Sequence, residues 1–215
     1  VGQVEDAQLK DYLFQSQIPV VTTYSLPPEK TVPAIGFDNY VATAQAVEYL
    51  IGLGHREFAM IAGKTAGNDR QRARISAFRD RIEKAGLNGG DRIYSDTFQM
   101  RGGARMMEEI LSDHPETTAV LCNSDVFAIG AMSACRKRGL KVPDDISILG
   151  CDDFDFAELL EPPLTTIAVP AAEMGKIAAD SLWEAISNKR PIATQVVATE
   201  LIIRGSTAPP AFKGK

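Results

Sequence analysis

The sequence has a deficit of positive charge, no long apolar run and no paired cysteines, and each shortage excludes a class of protein. Its 23 Lys and Arg residues are outnumbered by 28 Asp and Glu, which gives a net charge of -5. Binding to nucleic-acid phosphates needs clustered Lys and Arg. Charged residues also interrupt every apolar stretch before the roughly 20 residues that a membrane helix needs. We therefore expect these residues to contact neither DNA nor a membrane.

The three cysteines, Cys122, Cys135 and Cys151, are widely spaced, and the chain has only two histidines. This pattern favours reduced thiols in a reducing compartment over a disulfide framework or a metal site. All three cysteines lie in or beside apolar patterns, which predicts small buried side chains. The chain starts at Val1 without an initiator Met or a signal peptide, so we expect a fragment of a longer protein.

Short β-branched runs alternate with helical patterns along the 215 residues, which correspond to about 1.4 domains at roughly 150 residues each. This alternation predicts an α/β fold with a parallel sheet covered by helices on both faces. The predicted strands are 18–23, 33–37, 58–62, 93–94, 119–122, 146–150 and 195–203. The predicted helices include 5–14, a helix that Asp38 caps and Gly54 ends, and 171–188. Residues 207–215 are expected to be a disordered or artificial end.

Polar clusters directly follow four of the predicted strands. Ligands of open α/β sheets bind outside the carboxyl ends of the strands, so these clusters are candidate site residues. They are Tyr24-Ser25, 68–74, 123–125 and Asp152-Asp153. An arginine, Arg74, and a carboxylate, Asp152, facing one cleft would donate to and accept from a polyol, while Phe98 stacks on its apolar face. The pattern indicates a site for a sugar-like ligand.

Each candidate also has a purely structural interpretation. Asp69 and Asp125 are placed to cap helices, since a side-chain oxygen there would satisfy the free amides of the first turn. Arg74 belongs to an arginine-rich helix whose face would be solvated. Phe98 fits a core position, and His55 a loop or helix end. From the residues alone, both interpretations stay open.

Catalysis is a further possibility, because Asp152, Asp153 and Asp155 follow a strand and would suit Mg²⁺. The motifs that accompany such chemistry are missing. The sequence contains no G-x-x-x-x-G-K-[ST] loop, no G-x-G-x-x-G after a strand, no G-x-S-x-G elbow and no histidine-containing metal spacing. We therefore expect no enzyme, no cofactor and no metal site.

Several longer strings, taken together, resemble one known family. They are AIGFDN, YLIGLGHREFAMIAG, RARISAF, TAVLCNSDVFAIGAM, GLKVPDDISILGCDDFDFAELLEPPLTTIAVPAAEMG and ELIIRGST, in this order between residues 18 and 207. They resemble the effector-binding domain of the lactose-repressor (LacI/GalR) family of bacterial transcription regulators. The resemblance implies a periplasmic-binding-protein-like fold of type I, with two α/β subdomains and a ligand between them.

Three residues match positions that bind the effector in this family. Arg74, in RARISAF, matches the arginine that binds effector hydroxyl or carboxylate groups. Asp152 matches the aspartate at the GxDD strand end. Phe98 lies where the family often places an aromatic ring against the ligand. The resemblance therefore implies that these three residues bind the effector.

Three further candidate positions depart from the family pattern. Ser124 replaces an asparagine, Tyr24 replaces an aspartate that often follows the IPVV strand, and Val169 occupies a position that is often glutamine. The departures at Ser124 and Tyr24 leave the identity of the effector open, and Val169 implies fewer side-chain hydrogen bonds to the ligand at that position. The sequence does not name this effector.

The resemblance also implies a division of the chain. Residues 1–37 and 169–191 would form an incomplete N-terminal subdomain, residues 38–168 and 192–207 the C-terminal one, and 208–215 a tail. The family's helix-turn-helix, hinge helix and first strands would precede Val1. The implied protein is a cytoplasmic homodimer that binds operator DNA only through the missing part. The alternative is a periplasmic sugar-binding protein of transport or chemotaxis, which shares the fold.

Overall fold

A computed structural model describes residues 2, 4, 6–16, 18–26 and 32–211, and in them the chain forms two β-sheets with flanking helices. The helices are α1 (Ala7–Gln15), α2 (Asn39–Gly52), α3 (Asp69–Lys84), α4 (Met100–Asp113), α5 (Asp125–Lys137), a 3₁₀ helix (Asp155–Leu159) and α6 (Ala171–Asn188). The strands are β1 (Thr22–Thr23), β2 (Ala34–Gly36), β3 (Phe58–Gly63), β4 (Ile93–Asp96), β5 (Ala119–Cys122), β6 (Ser147–Asp152), β7 (Thr165–Ala168), β8 (Gln195–Val196) and β9 (Glu200–Ile202). The predicted α/β class is confirmed. Glu5, the predicted start of the first helix, lies outside the described residues.

The larger sheet has the strand order β4-β3-β5-β6-β7-β9. Its strands are parallel except β9, which runs antiparallel to β7. Alternate residues of β3 enter opposite cores: Phe58 packs in one core with Phe78, and Ile61 packs in the other with Phe127. Both faces of the sheet are therefore covered, as its continuous apolar strands require.

The smaller sheet has the order β1-β2-β8 and is parallel throughout. The single strand predicted over 195–203 is wrong, because the chain passes from one sheet to the other between β8 and β9. Strand β7 was not predicted, and the strand predicted over 18–23 is reduced to Thr22 and Thr23. Because β8 pairs with β2, residues 195 and 196 belong to the same sheet as β1 and β2. The subdomain division stays a prediction.

The starts of three helices show which side chains act as caps. Asp38 accepts a hydrogen bond from the Val41 amide at 3.0 Å, so its predicted role as a cap is confirmed. The caps predicted at Asp69 and Asp125 are wrong, because Asn68 and Ser124 take the capping positions. Both aspartates are instead the first residue of their helix, where the helix dipole favours a negative charge.

The segment after β9 is anchored, which corrects the expectation of a disordered end from residue 207. The Thr207 hydroxyl lies 2.9 Å from the Tyr49 hydroxyl. The Ala208 carbonyl accepts a hydrogen bond from the Ser147 hydroxyl at 3.1 Å and lies 3.0 Å from Nε2 of His55. His55 is buried and serves as a structural residue. Residues 212–215 lie outside the described residues.

The three cysteines are free and buried, as predicted for small apolar side chains. Burial raises the pKa of the Cys135 thiol to about 12 and that of the Cys122 thiol well above its ordinary value. Both thiols therefore stay protonated at neutral pH and are poor nucleophiles.

Candidate functional site

A cleft of about 220 Å³ lies at the carboxyl ends of strands from both sheets. Its walls combine residues that follow β1, β3 and β5, the last residue of β6, and Phe98 after β4. The lining residues are Tyr24, Asn68, Arg70, Gln71, Arg74, Phe98, Asn123 and Asp152. The structure thus brings together Tyr24, Arg74, Phe98 and Asp152, four of the six predicted site residues.

Arg74 lies in the second turn of α3 and is only 5% exposed. Its Nε donates to Oδ1 of Asn39 at 2.9 Å, and its Nη1 donates to the Asn123 carbonyl at 2.8 Å. The guanidinium also lies over the Phe37 ring, 5.9 Å from the centroid. Nη2 has no hydrogen bond to any residue that the structure describes. The interpretation of Arg74 as part of a solvated face is therefore wrong: it is a fixed, buried cation in the cleft wall.

Asp152 ends β6 with a backbone φ of 121°, and Asp153 follows with φ 55°. A positive φ strains the backbone of a residue other than glycine. Two such residues in succession are unusual, and backbone strain of this kind concentrates at functional sites. The Ser124 hydroxyl donates to Oδ2 of Asp152 at 2.8 Å. Burial raises the pKa of Asp152, while the positive charge of Arg74 opposes this effect. The result is a hydrogen-bond acceptor with a fixed orientation, beside a fixed donor.

The aspartates that suggested a magnesium site have separate partners. Asp153 forms an ion pair with Arg204 at 2.7 Å, whereas Asp152 accepts from Ser124. Across the described ranges, no group of three His, Cys, Asp or Glu side chains is close enough to hold a metal ion.

Tyr24 forms the wall contributed by the smaller sheet. Its backbone φ is 68°, and its ring meets the edge of Phe37 with centroids 6.5 Å apart. Burial raises the pKa of the Tyr24 hydroxyl, and the negative charge of Asp152 adds to the effect. Asn39 donates from Nδ2 to the Tyr24 carbonyl at 2.8 Å while it accepts from Arg74. This amide therefore links the two walls of the cleft.

Phe98 presents an aromatic surface to the cleft. Its ring stacks on Phe127 with centroids 5.0 Å apart, yet Phe98 remains 48% exposed. A Cβ at Gly63 would lie 2.6 Å from the Phe98 ring, so only glycine leaves room for the ring there. The interpretation of Phe98 as a core residue is wrong, since the ring is packed on Phe127 and still half-exposed. Such a ring suits stacking against a sugar or another flat apolar face.

Two predicted site residues do not line the cleft. Ser124 is buried, and its hydroxyl donates to Asp152 and accepts from the Val126 amide at the start of α5. Val169 is buried in the apolar core, and its amide donates to the Asp152 carbonyl at 3.4 Å. Both residues hold Asp152 in position and do not themselves form part of the cavity surface.

The cleft contains polar residues that were not singled out from the sequence. Gln71 is buried, and its Oε1 accepts from the Gly63 amide at 2.8 Å and from Nδ2 of Asn123 at 3.0 Å. Gln71 and Asn123 fall within the polar clusters after β3 and β5, so the expectation that ligands bind at the carboxyl ends of strands already pointed to these segments. Asn39, which does not line the cleft but binds Arg74 and Tyr24, was missed because the residues after β2 were not considered as candidates.

A larger cavity of about 530 Å³ is a weaker candidate. Its walls are mainly apolar, with Leu13, Ile18 and Ile186 among them. Among the described residues that line it there is neither a carboxylate nor an aromatic ring, so it offers little for recognition of a polar ligand. Separately, none of the helices in the described ranges is both long and apolar enough to cross a membrane.

Comparison with known proteins adds to this geometry. The family model for the periplasmic binding protein-like domain matches residues 47–207. The HTH-type transcriptional repressor CytR of Escherichia coli K12 is 35% identical over 191 residues, which is 88% of this chain and 56% of that protein. The chain therefore spans about half the length of the curated relatives it matches.

Solved structures agree with the fold. The transcription regulator GntR of Chromobacterium violaceum superposes with a TM-score of 0.89 at 26% identity, over 96% of this chain and 76% of the other. A LacI family regulator of Enterococcus faecium, solved with bound ribose, superposes with a TM-score of 0.82 at 26% identity, over 96% and 76%. The sequence resemblance and the structural comparisons thus lead to the same family.

Proposed function

Because the chain belongs to the periplasmic binding protein-like family, as the effector-binding domain of a LacI-family transcription regulator, we propose that its cleft senses a small sugar-like effector. The observation that carries the proposal is the joint placement of Arg74, Asp152 and the half-exposed Phe98 ring in one cavity wall. A fixed donor, a fixed acceptor and an aromatic face are what a sugar ring needs. The ribose in the Enterococcus faecium relative supports this class of ligand.

The proposal extends to the whole protein. Effector binding would shift the relative position of the two subdomains, and DNA affinity would follow through a helix-turn-helix outside these residues. The name of the repressor CytR, an HTH-type regulator, supports this arrangement. A coupling of roughly 1–3 kcal/mol between the two sites is typical of such systems. The working form would be a homodimer in the cytoplasm, without catalytic activity.

Transport or chemotaxis is the alternative function for this fold. The relatives named above are transcription regulators, which favours regulation. The free cysteines fit a reducing compartment and support the same choice. A test of sequence-specific DNA binding by the longest natural form would separate the alternatives, because a transport protein has no sequence-specific DNA affinity.

The proposed ligand class is tested by thermal unfolding of the longest natural form with sugars, sugar acids and nucleosides. A ligand that binds only the native state raises the unfolding midpoint, because the stabilisation grows with the logarithm of one plus the ratio of ligand concentration to Kd. Phe98→Ala should reduce the rise for the best ligand. Trp183→Ala, which removes a 68% exposed ring on α6, should leave it unchanged. A panel without any rise would contradict the proposal.

A further inference from the structure

Arg70 gives the cleft a positive charge that the binding of neutral hydroxyls does not require. The charged residues among those that line the cleft are Arg70, Arg74 and Asp152, which sum to one net positive charge. The chain as a whole carries a net charge of -5. The cleft is therefore a local positive site on an acidic protein, and such a site concentrates anions.

The guanidinium of Arg70 has no carboxylate partner among the described residues. Its Nε donates to Oδ1 of Asn68 at 3.2 Å. Within the described ranges, six other arginines do form ion pairs with carboxylates: Arg81 with Glu48, Arg92 with Glu57 and Glu116, Arg105 with Asp96 and Glu109, Arg138 with Glu108, Arg190 with Glu184, and Arg204 with Asp153. Arg70 is half-buried and lines both the cleft and a neighbouring cavity, which it shares with the carboxylates of Asp38 and Asp69.

Helix stability does not explain a cation at this position. Arg70 is the second residue of α3, and the positive end of the helix dipole disfavours a cation in the first turn by roughly 0.3–1 kcal/mol. Asp69, one residue earlier, is the charge that the dipole favours. The hydrogen bond to Asn68 offsets part of this cost, and an anion bound in the cleft would offset more of it.

The field of Arg70 reaches both walls of the cleft. Burial raises the pKa of Asp152 on one wall and of Tyr24 on the other, and the charge of Arg70 opposes the rise at both residues. A small adjacent cavity on the far side of Arg70 is lined by the carboxylates of Asp38 and Asp69. An anion is repelled there, so the side of Arg70 that faces Arg74 is the favourable one.

We infer that the effector carries an oxyanion, a carboxylate or a phosphate, which binds Arg70 in the cleft while Asp152 accepts from its hydroxyl groups. The inference rests on the proposed function and narrows its ligand class from sugar-like molecules to sugar acids or sugar phosphates. The planar guanidinium suits either group, because it donates two parallel hydrogen bonds to a pair of oxygens.

The test uses sets of ligands that differ only in charge. The longest natural form is titrated calorimetrically with glucose, glucuronate and glucose 6-phosphate, with the galactose series, and with ribose and ribose 5-phosphate. The anionic member of at least one set should bind about 10- to 100-fold more tightly than its neutral partner, as expected for a charged hydrogen bond. The carboxylate and phosphate arms distinguish the two sources of the oxyanion.

Three variants assign the effect to Arg70. Arg70→Gln should abolish the preference for the anionic member, and Arg70→Lys should retain part of it, since the charge remains without the planar fork. Arg79→Gln removes the same charge from an exposed position of α3 and should leave the preference intact. Circular dichroism and the unfolding midpoint without ligand confirm that each variant is folded.

The remaining outcomes separate this inference from the proposed function. Neutral sugars that bind as tightly as their acids and phosphates would overturn the oxyanion and leave the sugar-sensing proposal standing. A preference that persists in Arg70→Gln would overturn the role of Arg70. Absence of binding in every arm would overturn both proposals.

Discussion

The free energy of unfolding should depend on pH because the carboxyl of Asp125 is buried. Replacement of Asp125 by Asn should remove this part of the pH dependence. Asp125 has no exposed surface. Its Oδ1 accepts from the Thr166 hydroxyl at 2.6 Å, and its Oδ2 accepts from the Phe154 amide at 3.0 Å. Burial raises the pKa of Asp125 from 3.8 to about 6, although both hydrogen bonds oppose the rise. A Cβ at Gly150 would lie 2.2 Å from Oδ1, so the backbone closes tightly over the group.

The sign and size of the effect follow from this shift. The folded state holds the proton more tightly than the unfolded chain, whose carboxyl titrates near 3.8. The resulting stabilisation is fully present below pH 3.8 and is lost as the pH rises through about 6. A shift of about two units corresponds to about 3 kcal/mol. The free energy of unfolding of the wild type, minus that of Asp125→Asn, should therefore fall by about 3 kcal/mol between about pH 4 and pH 7.5.

Urea unfolding of both proteins across this range measures the difference. Subtraction removes the opposite contribution of His55, whose pKa burial lowers. Thr166→Val deletes a donor to the carboxylate and should move the midpoint of the pH profile upward. Asp155→Asn changes an exposed carboxyl nearby and should give a profile parallel to the wild type. A difference between wild type and Asp125→Asn that is the same at both ends of the range would refute the reasoning.

Three other substitutions test packing and polar contacts in the fold. Gly130→Ala should lower the free energy of unfolding by about 1–3 kcal/mol, because its Cβ would meet the Met100 carbonyl of α4 at 2.0 Å; urea denaturation measures this. Gly63→Ala should displace the Phe98 ring and weaken ligand binding more than it lowers stability, which titration compared with thermal unfolding would show. His55→Ala should cost at least about 2 kcal/mol, since buried polar partners lose their contact; an unchanged melting curve would contradict this.

Much of the fold could be predicted because its elements carry strong local signals. Strand β5 and helix α6 have the predicted bounds, since a short apolar run and a long 3.6-residue periodicity are hard to misinterpret. The segment 195–203 is rich in β-branched residues, and no local feature marks where the chain changes sheets. The split into β8 and β9 is decided by tertiary pairing with β2 and β7. Propensity alone does not contain that information.

The site was predicted in outline because the topology of α/β sheets brings strand ends together. The position after a strand end and the family resemblance both led to Arg74 and Asp152, although the residue type alone favoured a solvated helix face for Arg74. Ser124 and Val169 lie one layer behind the cleft surface, and that depth depends on side-chain packing. Spacing along the sequence shows which segments meet, while only the packed structure shows which side chains reach the cavity.

The geometry of the cleft also restricts which contacts can report a change of subdomain position. A ligand shifts an equilibrium only by as much as its contacts differ between the two states. Arg74 is held by Asn123 as well as by Asn39, so its contact with a ligand would change little in the proposed transition. In the proposed transition Tyr24 would belong to the wall that moves, and opening would break the Asn39–Tyr24 hydrogen bond, at a cost of about 1 kcal/mol. The affinity for the ligand should therefore depend mainly on Arg74, and the shift in subdomain position that the ligand causes should depend mainly on Tyr24.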